Sequence, residues 1–177
     1  MTKRQEFKVL QDFGSFELRE YAPCVLAEVK VSADYSAAGS AAFGSLFGYI
    51  SKGNKSAQKI AMTAPVIAAH SEAKSQSDEW FVSFVMPAGS TLDQMPVPNN
   101  SQVVLRELVA EKCVALPFRG RATEQLVARK VSELRTTAAG ANILLTDEIR
   151  VCRFDPPFKP GILQYNEIVI PLVNQHQ

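Results

Sequence analysis

The feature that most constrains this chain is that its second half repeats the first. Leu18-Arg19-Glu20 recurs as Leu105-Arg106-Glu107, 87 residues further on, and each copy leads into a Cys-Val pair, Cys24-Val25 and Cys113-Val114. The glycines that can end a helix keep the same offset, Gly53 and Gly140, and Trp80 to Pro87 aligns with Gln164 to Pro171 at an offset of 84. A chain that uses one pattern twice needs a fold in which two like units complete each other's core. The copies span approximately residues 7–90 and 100–173.

Each copy reads as strand-strand-helix-strand-strand. Phe7-Lys8-Val9-Leu10 and Phe16 to Tyr21 flank a Gly14-Ser15 turn, as a hairpin requires. Val25, Ala27, Val29 and Val31 alternate with Leu26, Glu28, Lys30 and Ser32, the pattern of a half-buried strand. Further strands fit Trp80 to Met86, Val103 to Leu108, Cys113 to Phe118, Glu148 to Phe154 and Tyr165 to Leu172, while the polar stretch from Ser71 to Ser77 reads as a surface loop. A helix is expected from Asp34, a good N-cap, to Gly53, with Phe43, Leu46, Phe47 and Ile50 at i, i+3, i+4 and i+7. Gly39, Gly44 and Gly48 in the same helix each weaken it by up to about 1 kcal/mol against alanine, so something is expected to approach its backbone, either the sheet or a flat ligand. A second helix fits Thr123 to about Thr137, with Val127, Val131 and Leu134 on one face. Neither copy can cover its helix alone. The expected fold is therefore α+β: a pseudo-twofold, distorted antiparallel β-barrel of about eight strands with two external helices, built from a duplicated ββαββ unit as one domain over residues 1–177.

Composition narrows the function classes. Lys plus Arg number 19 and Asp plus Glu 18, a formal charge of +1, so there is no global field to gather nucleic acid or an anionic membrane. No apolar run is long enough to span a bilayer, and the N-terminus has no signal-peptide pattern. Cys24, Cys113 and Cys152 are odd in number and far apart, which suits reduced thiols in a cytoplasmic protein better than a disulfide frame, and a monomer is expected. There is no phosphate-binding loop, dinucleotide fingerprint, nucleophile elbow or H-E-x-x-H, and two histidines leave little room for a catalytic triad or a histidine metal site. No enzyme class is indicated.

Five stretches carry a family resemblance: Phe16-Glu17-Leu18-Arg19-Glu20-Tyr21, Phe43 to Ile50 with Gly53-Asn54, Lys59-Ile60-Ala61-Met62-Thr63-Ala64-Pro65-Val66, Phe81 to Pro87, and Asn166-Glu167-Ile168. In order and over nearly the whole chain, they resemble the SOUL, or haem-binding-protein, family. The Lys-Ile-Ala-Met-Thr-Ala-Pro-Val string is the most specific. The resemblance implies a distorted barrel with two helices and a soluble carrier or buffer for haem or another tetrapyrrole, bound non-covalently and reversibly. A porphyrin requires an apolar slot and cations for its propionates. By resemblance the slot involves Phe43, Leu46, Phe47 and Ile50, with Met62 nearby, and the loop Asp155 to Gly161, where Lys159 is the propionate candidate and Phe158 a ring contact. The bland alternative is that the stripe is ordinary core and Lys159 ordinary surface.

No histidine falls on the first helix. His176 is next to last, and His70, a weak metal candidate, reads as exposed at the edge of the polar loop, so binding without a strong axial ligand is expected. Cys24, Cys113 and Met62 are conceivable soft ligands, but packing suits them better. The last strand sets Tyr165, Glu167 and Val169 on one face and Asn166, Ile168 and Ile170 on the other. A desolvated Glu167 could serve as an acid or base, and the duplicated fold also resembles the GyrI-like small-molecule-binding group, in which some members resemble hydrolases with a pocket glutamate. Alternatively Glu167 pairs with Arg19, Arg106 or Arg153 and only fixes the barrel. A third reading is an interaction protein that has lost its ligand.

Overall fold

Alternation along the chain becomes a single sheet in the computed structural model, which describes residues 2–74 and 78–174. In chain order the elements are β1 (Lys3–Arg4), β2 (Phe7–Asp12), β3 (Glu17–Tyr21), β4 (Cys24–Ser32), α1 (Tyr35–Ile50), β5 (Thr63–Ser71) and β6 (Glu79–Val85). The second half adds β7 (Val104–Leu108), β8 (Glu111–Arg119), α2 (Glu124–Gly140), β9 (Glu148–Arg153) and β10 (Tyr165–Pro171). The strands pair in the order β2-β3-β8-β10-β9-β5-β6-β4-β7, and β1 adds to β5 in parallel. The architecture is the expected α+β distorted barrel: one curled, otherwise antiparallel sheet with two helices. It has ten strands where about eight were expected, the additional ones being the short β1 and the nine-residue β5.

Two features of the ladder position everything else. With β3 to β6 set against β7 to β10, the order from β3 to β7 reads the same from either end, and the first strand of each half pairs with the second strand of the other: β3 with β8, β7 with β4. The N-terminal strap, residues 3–12, joins β1 on β5 to β2 on β3, so the hydrogen-bonded path β5-β9-β10-β8-β3-β2 returns to its start. The strap thereby closes a small inner barrel.

The period-2 pattern gives the sheet two different faces. One buries Val25, Ala27, Val29, Val82, Phe84, Val114, Leu116, Val151, Ile168 and Ile170 against both helices, forming the main core. The other, under the strap, holds a smaller cluster of Tyr21, Leu26, Ile67, Cys113, Ala115, Cys152 and Val169. Each helix starts at a capping side chain: Asp34 accepts the Ala37 N–H at 2.9 Å and Thr123 the Leu126 N–H at 3.2 Å. The first helix stops at Ile50, earlier than the expected Gly53, because Lys52 takes a left-handed conformation and the chain folds back. Gly53 then lies so close that a Cβ would sit 2.5 Å from the Gly48 carbonyl oxygen. Buried Asn54 clamps the return, donating to the Tyr49 and Gln58 carbonyls at 3.0 and 2.8 Å and accepting the Gln58 N–H at 3.0 Å. The Gly53-Asn54 pair thus shapes the turn that carries Ile60 back onto Ile50 and into β5.

Candidate functional site

The expected stripe on α1 divides into two environments. Leu46 and Ile50 are turned into the core with Ala38, Ala42 and Tyr49, whereas Phe43 and Phe47 are 46% and 48% exposed. These two rings stack on each other, centroids 5.6 Å apart and nearly parallel, and Phe43 sets its edge against Phe84 of β6 at 5.9 Å. An aromatic pair left half in water on the outer face of a helix is a ready surface for a flat apolar ligand. The glycines bear on the same surface. Gly44 and Gly48 are exposed with nothing within 4 Å of where a Cβ would lie, so sheet packing does not account for them. Gly39, one turn before Phe43, instead faces the Nη1 of Arg153, 3.8 Å from its would-be Cβ.

The other expected ligand residues lie outside α1. Met62 is 41% exposed just before β5. Phe158 is 87% exposed and makes no ring contact with Phe43 or Phe47 among the described residues. Lys159 donates to Asp155 at 2.8 Å, and the same carboxylate accepts the Tyr165 N–H at 2.7 Å, which holds the Asp155 carboxyl below the usual carboxylate range. Arg153, whose place beside α1 the sequence reading missed, is held by Tyr35. Its Nη2 donates to the Tyr35 hydroxyl at 2.7 Å, and that hydroxyl donates to the Ala122 carbonyl at 2.8 Å. The signal available for it was the strand alternation that puts Arg153 on the helix-bearing face with Val151.

His70 is not in the polar loop. It belongs to β5, stacks on Trp80 with centroids 4.8 Å apart, and sets Nδ1 3.0 Å from the Glu79 carbonyl oxygen, because the strand continues through His70 to Ser71. His176 lies outside the described residues, as do residues 75–77 of the expected loop. Among the described residues no cluster of three or more His, Cys, Asp or Glu is arranged to hold a metal ion. Burial pushes the thiols of Cys24, Cys113 and Cys152 up, Cys113 to about 12, so they sit in the protein as neutral groups rather than as thiolate ligands.

Glu167 stands under the strap, 3% exposed, and is fully engaged. It accepts Nη1 and Nη2 of Arg19 at 2.8 and 3.0 Å and the Tyr165 hydroxyl at 2.6 Å. Arg19 also donates to Glu17 at 2.7 Å and to the Tyr21 hydroxyl at 3.0 Å, and its guanidinium lies 4.0 Å from the centre of the Phe7 ring. Burial works against the Arg19 charge, but the bonds to Glu167 and Tyr21 outweigh it and raise its pKa. Burial, and then the bond to Glu167, pushes the Tyr165 phenol up to about 12, so it stays a proton donor in that bond. The space beside this cluster is about 10 Å³, bounded by Gln5, Phe7, Pro65 and Phe154, room for no more than one water. Of the three partners considered for Glu167, Arg19 is the one it has. Arg106 instead reaches Glu28, and Arg153 points from the opposite face of β9. Such a pair is built to hold the inner barrel rather than to exchange protons with a substrate. A wider groove of about 580 Å³, between Glu20, Lys112, Asn142, Leu144 and Val173, includes none of the expected site residues.

Comparison with known proteins places these features. The family described as SOUL heme-binding protein matches residues 2–171. No curated protein matches the chain. Among solved structures, the C-terminal domain of EcmrR superposes with a TM-score of 0.71 at 13% identity, covering 90% of this chain and 97% of that one. A hydrolase from Listeria innocua gives 0.61 at 12% identity, covering 90% and 92%. The structure of SAV2435 bound to tetraphenylphosphonium gives 0.54 at 12% identity, covering 90% and 94%. At these identities the likeness is one of fold.

Proposed function

This chain belongs to the SOUL heme-binding protein family, and from that membership we propose that it is a reversible, non-covalent carrier or buffer for haem or another tetrapyrrole, working as a cytoplasmic monomer. The family is a heme-binding one and not an established enzyme family. The observation that carries the reading is the half-exposed, stacked pair Phe43 and Phe47 beside the bare backbone of Gly44 and Gly48. Leu46 and Ile50 support this surface from beneath by anchoring the helix, and Met62 and Phe158 are its proposed outlying contacts. That the same fold holds tetraphenylphosphonium in SAV2435 agrees with a bulky aromatic ligand for this scaffold too.

The residues present fit a tetrapyrrole's ring better than its iron. Haem supplies redox and axial-ligand chemistry when bound, but Phe43 and Phe47 offer only an aromatic face, and His70 is committed to Trp80 and the Glu79 carbonyl. The ligand is therefore held by its flat surface and its carboxylates. No helix among the described residues is long and apolar enough to cross a membrane, and the only partner required is the small molecule.

The test is a hemin titration followed in the Soret band. Covering one half-exposed ring removes on the order of 100 Å² from water, about 2 kcal/mol at ~25 cal/mol/Å². Phe43→Ala and Phe47→Ala are accordingly each expected to weaken binding more than about tenfold. A wild-type protein with no saturable Soret change, or alanine variants of unaltered affinity, would overturn the reading.

A further inference from the structure

We infer that Arg153, rather than Lys159, is the cation that receives a carboxylate of the bound ligand; this rests on the tetrapyrrole reading above. Gly39, Phe43 and Phe47 follow one another at intervals of four and so line one ridge of α1. Arg153 stands at the N-terminal end of that ridge, its Nη1 3.8 Å from where a Gly39 Cβ would lie. Across the sheet, Phe84, Val66 and Arg153 occupy one row of β6, β5 and β9. Phe43 touches the first of these. Two strand spacings, about 9–10 Å, therefore separate the ring contact from the guanidinium-bearing strand, a span on the scale of a porphyrin ring.

Its bonding leaves Arg153 available. The side chain is exposed, and among the described residues its one hydrogen-bond partner is the neutral Tyr35 hydroxyl, which fixes the position of Nη2 without neutralising the charge. Among the described residues no carboxylate pairs with it; Glu124, at the start of α2, acts on Tyr35 but forms no ion pair with Arg153. The planar fork of a guanidinium matches a carboxylate through two parallel N–H bonds, which a lysine cannot do. Lys159, by contrast, is already bound to Asp155, and any ligand carboxylate there has to compete with that partner.

The experiment compares hemin and metal-free protoporphyrin IX with their dimethyl esters on wild-type protein and on Arg153→Gln, Arg153→Lys and Lys159→Ala. Absorbance reports the first porphyrin and fluorescence the second, so iron ligation and carboxylate binding are separated. Wild type is expected to prefer the free acids, and Arg153→Gln to lose about tenfold or more in affinity for them with ester affinity unchanged. Arg153→Lys should recover part of the loss, and Lys159→Ala should leave the acid-to-ester ratio as in wild type. An unchanged ratio in Arg153→Gln, or a collapsed one in Lys159→Ala, overturns the inference while leaving the tetrapyrrole reading intact. Failure of wild type to bind any of the four porphyrins overturns that reading and the assignment of Arg153 with it.

Discussion

At the scale of single residues, the buried pair of Arg19 and Glu167 is the most consequential contact in the inner barrel. Both side chains are 4% exposed and 148 positions apart in sequence, so the pair ties β3 to β10 through the barrel interior. A charge left alone there has no water to turn to. Arg19→Met or Glu167→Leu alone is expected to destabilise the protein by about 3–5 kcal/mol, while the double variant recovers most of the loss because both charges leave together. Urea unfolding of the four proteins checks this, and single variants that cost less than about 1 kcal/mol would show the pair to be unimportant. The alternation of the last strand placed Glu167 among apolar neighbours from sequence. It could not choose among three arginines, since that choice depends on which strand lies across the barrel.

At the scale of the element, α1 separates stability from binding. Leu46 is fully buried, so Leu46→Ala should cost about 2–5 kcal/mol. Phe47 is half in water and its loss should cost about 1 kcal/mol or less, mostly the stacking on Phe43. Gly48→Ala goes the other way. It adds helix propensity where nothing is close, and is expected to stabilise by up to about 1 kcal/mol. Thermal unfolding of the three variants gives the ranking, and a Gly48→Ala variant less stable than wild type would mean that the glycine has a structural task after all. Helical periodicity alone grouped Phe43, Leu46, Phe47 and Ile50 as one stripe. A stripe that wide wraps past the edge of the sheet beneath it, and only packing on β4 and β6 decides which two residues go under.

For the whole molecule, the first strand of each half pairs into the sheet of the other, β3 on β8 and β7 on β4, so neither half keeps its complete sheet alone. Unfolding is expected as one cooperative transition, with Trp80 fluorescence and far-UV circular dichroism giving the same midpoint. Two separated transitions would contradict a single domain.

The sequence by itself determined the class of fold, the family, both helices and most of the strands to within a few residues, and the two chemically distinct faces of the core strands. These follow from local periodicity and from strings such as Lys59 to Val66, which are legible without neighbours. The tertiary structure decided that Glu167 is neutralised by Arg19 under an N-terminal strap. It also decided that His70 stacks on Trp80, and that Arg153 stands beside Gly39 at the end of the aromatic ridge. Each of these depends on which strands become neighbours in the sheet, and that adjacency is set by burial across the whole chain rather than by any local pattern.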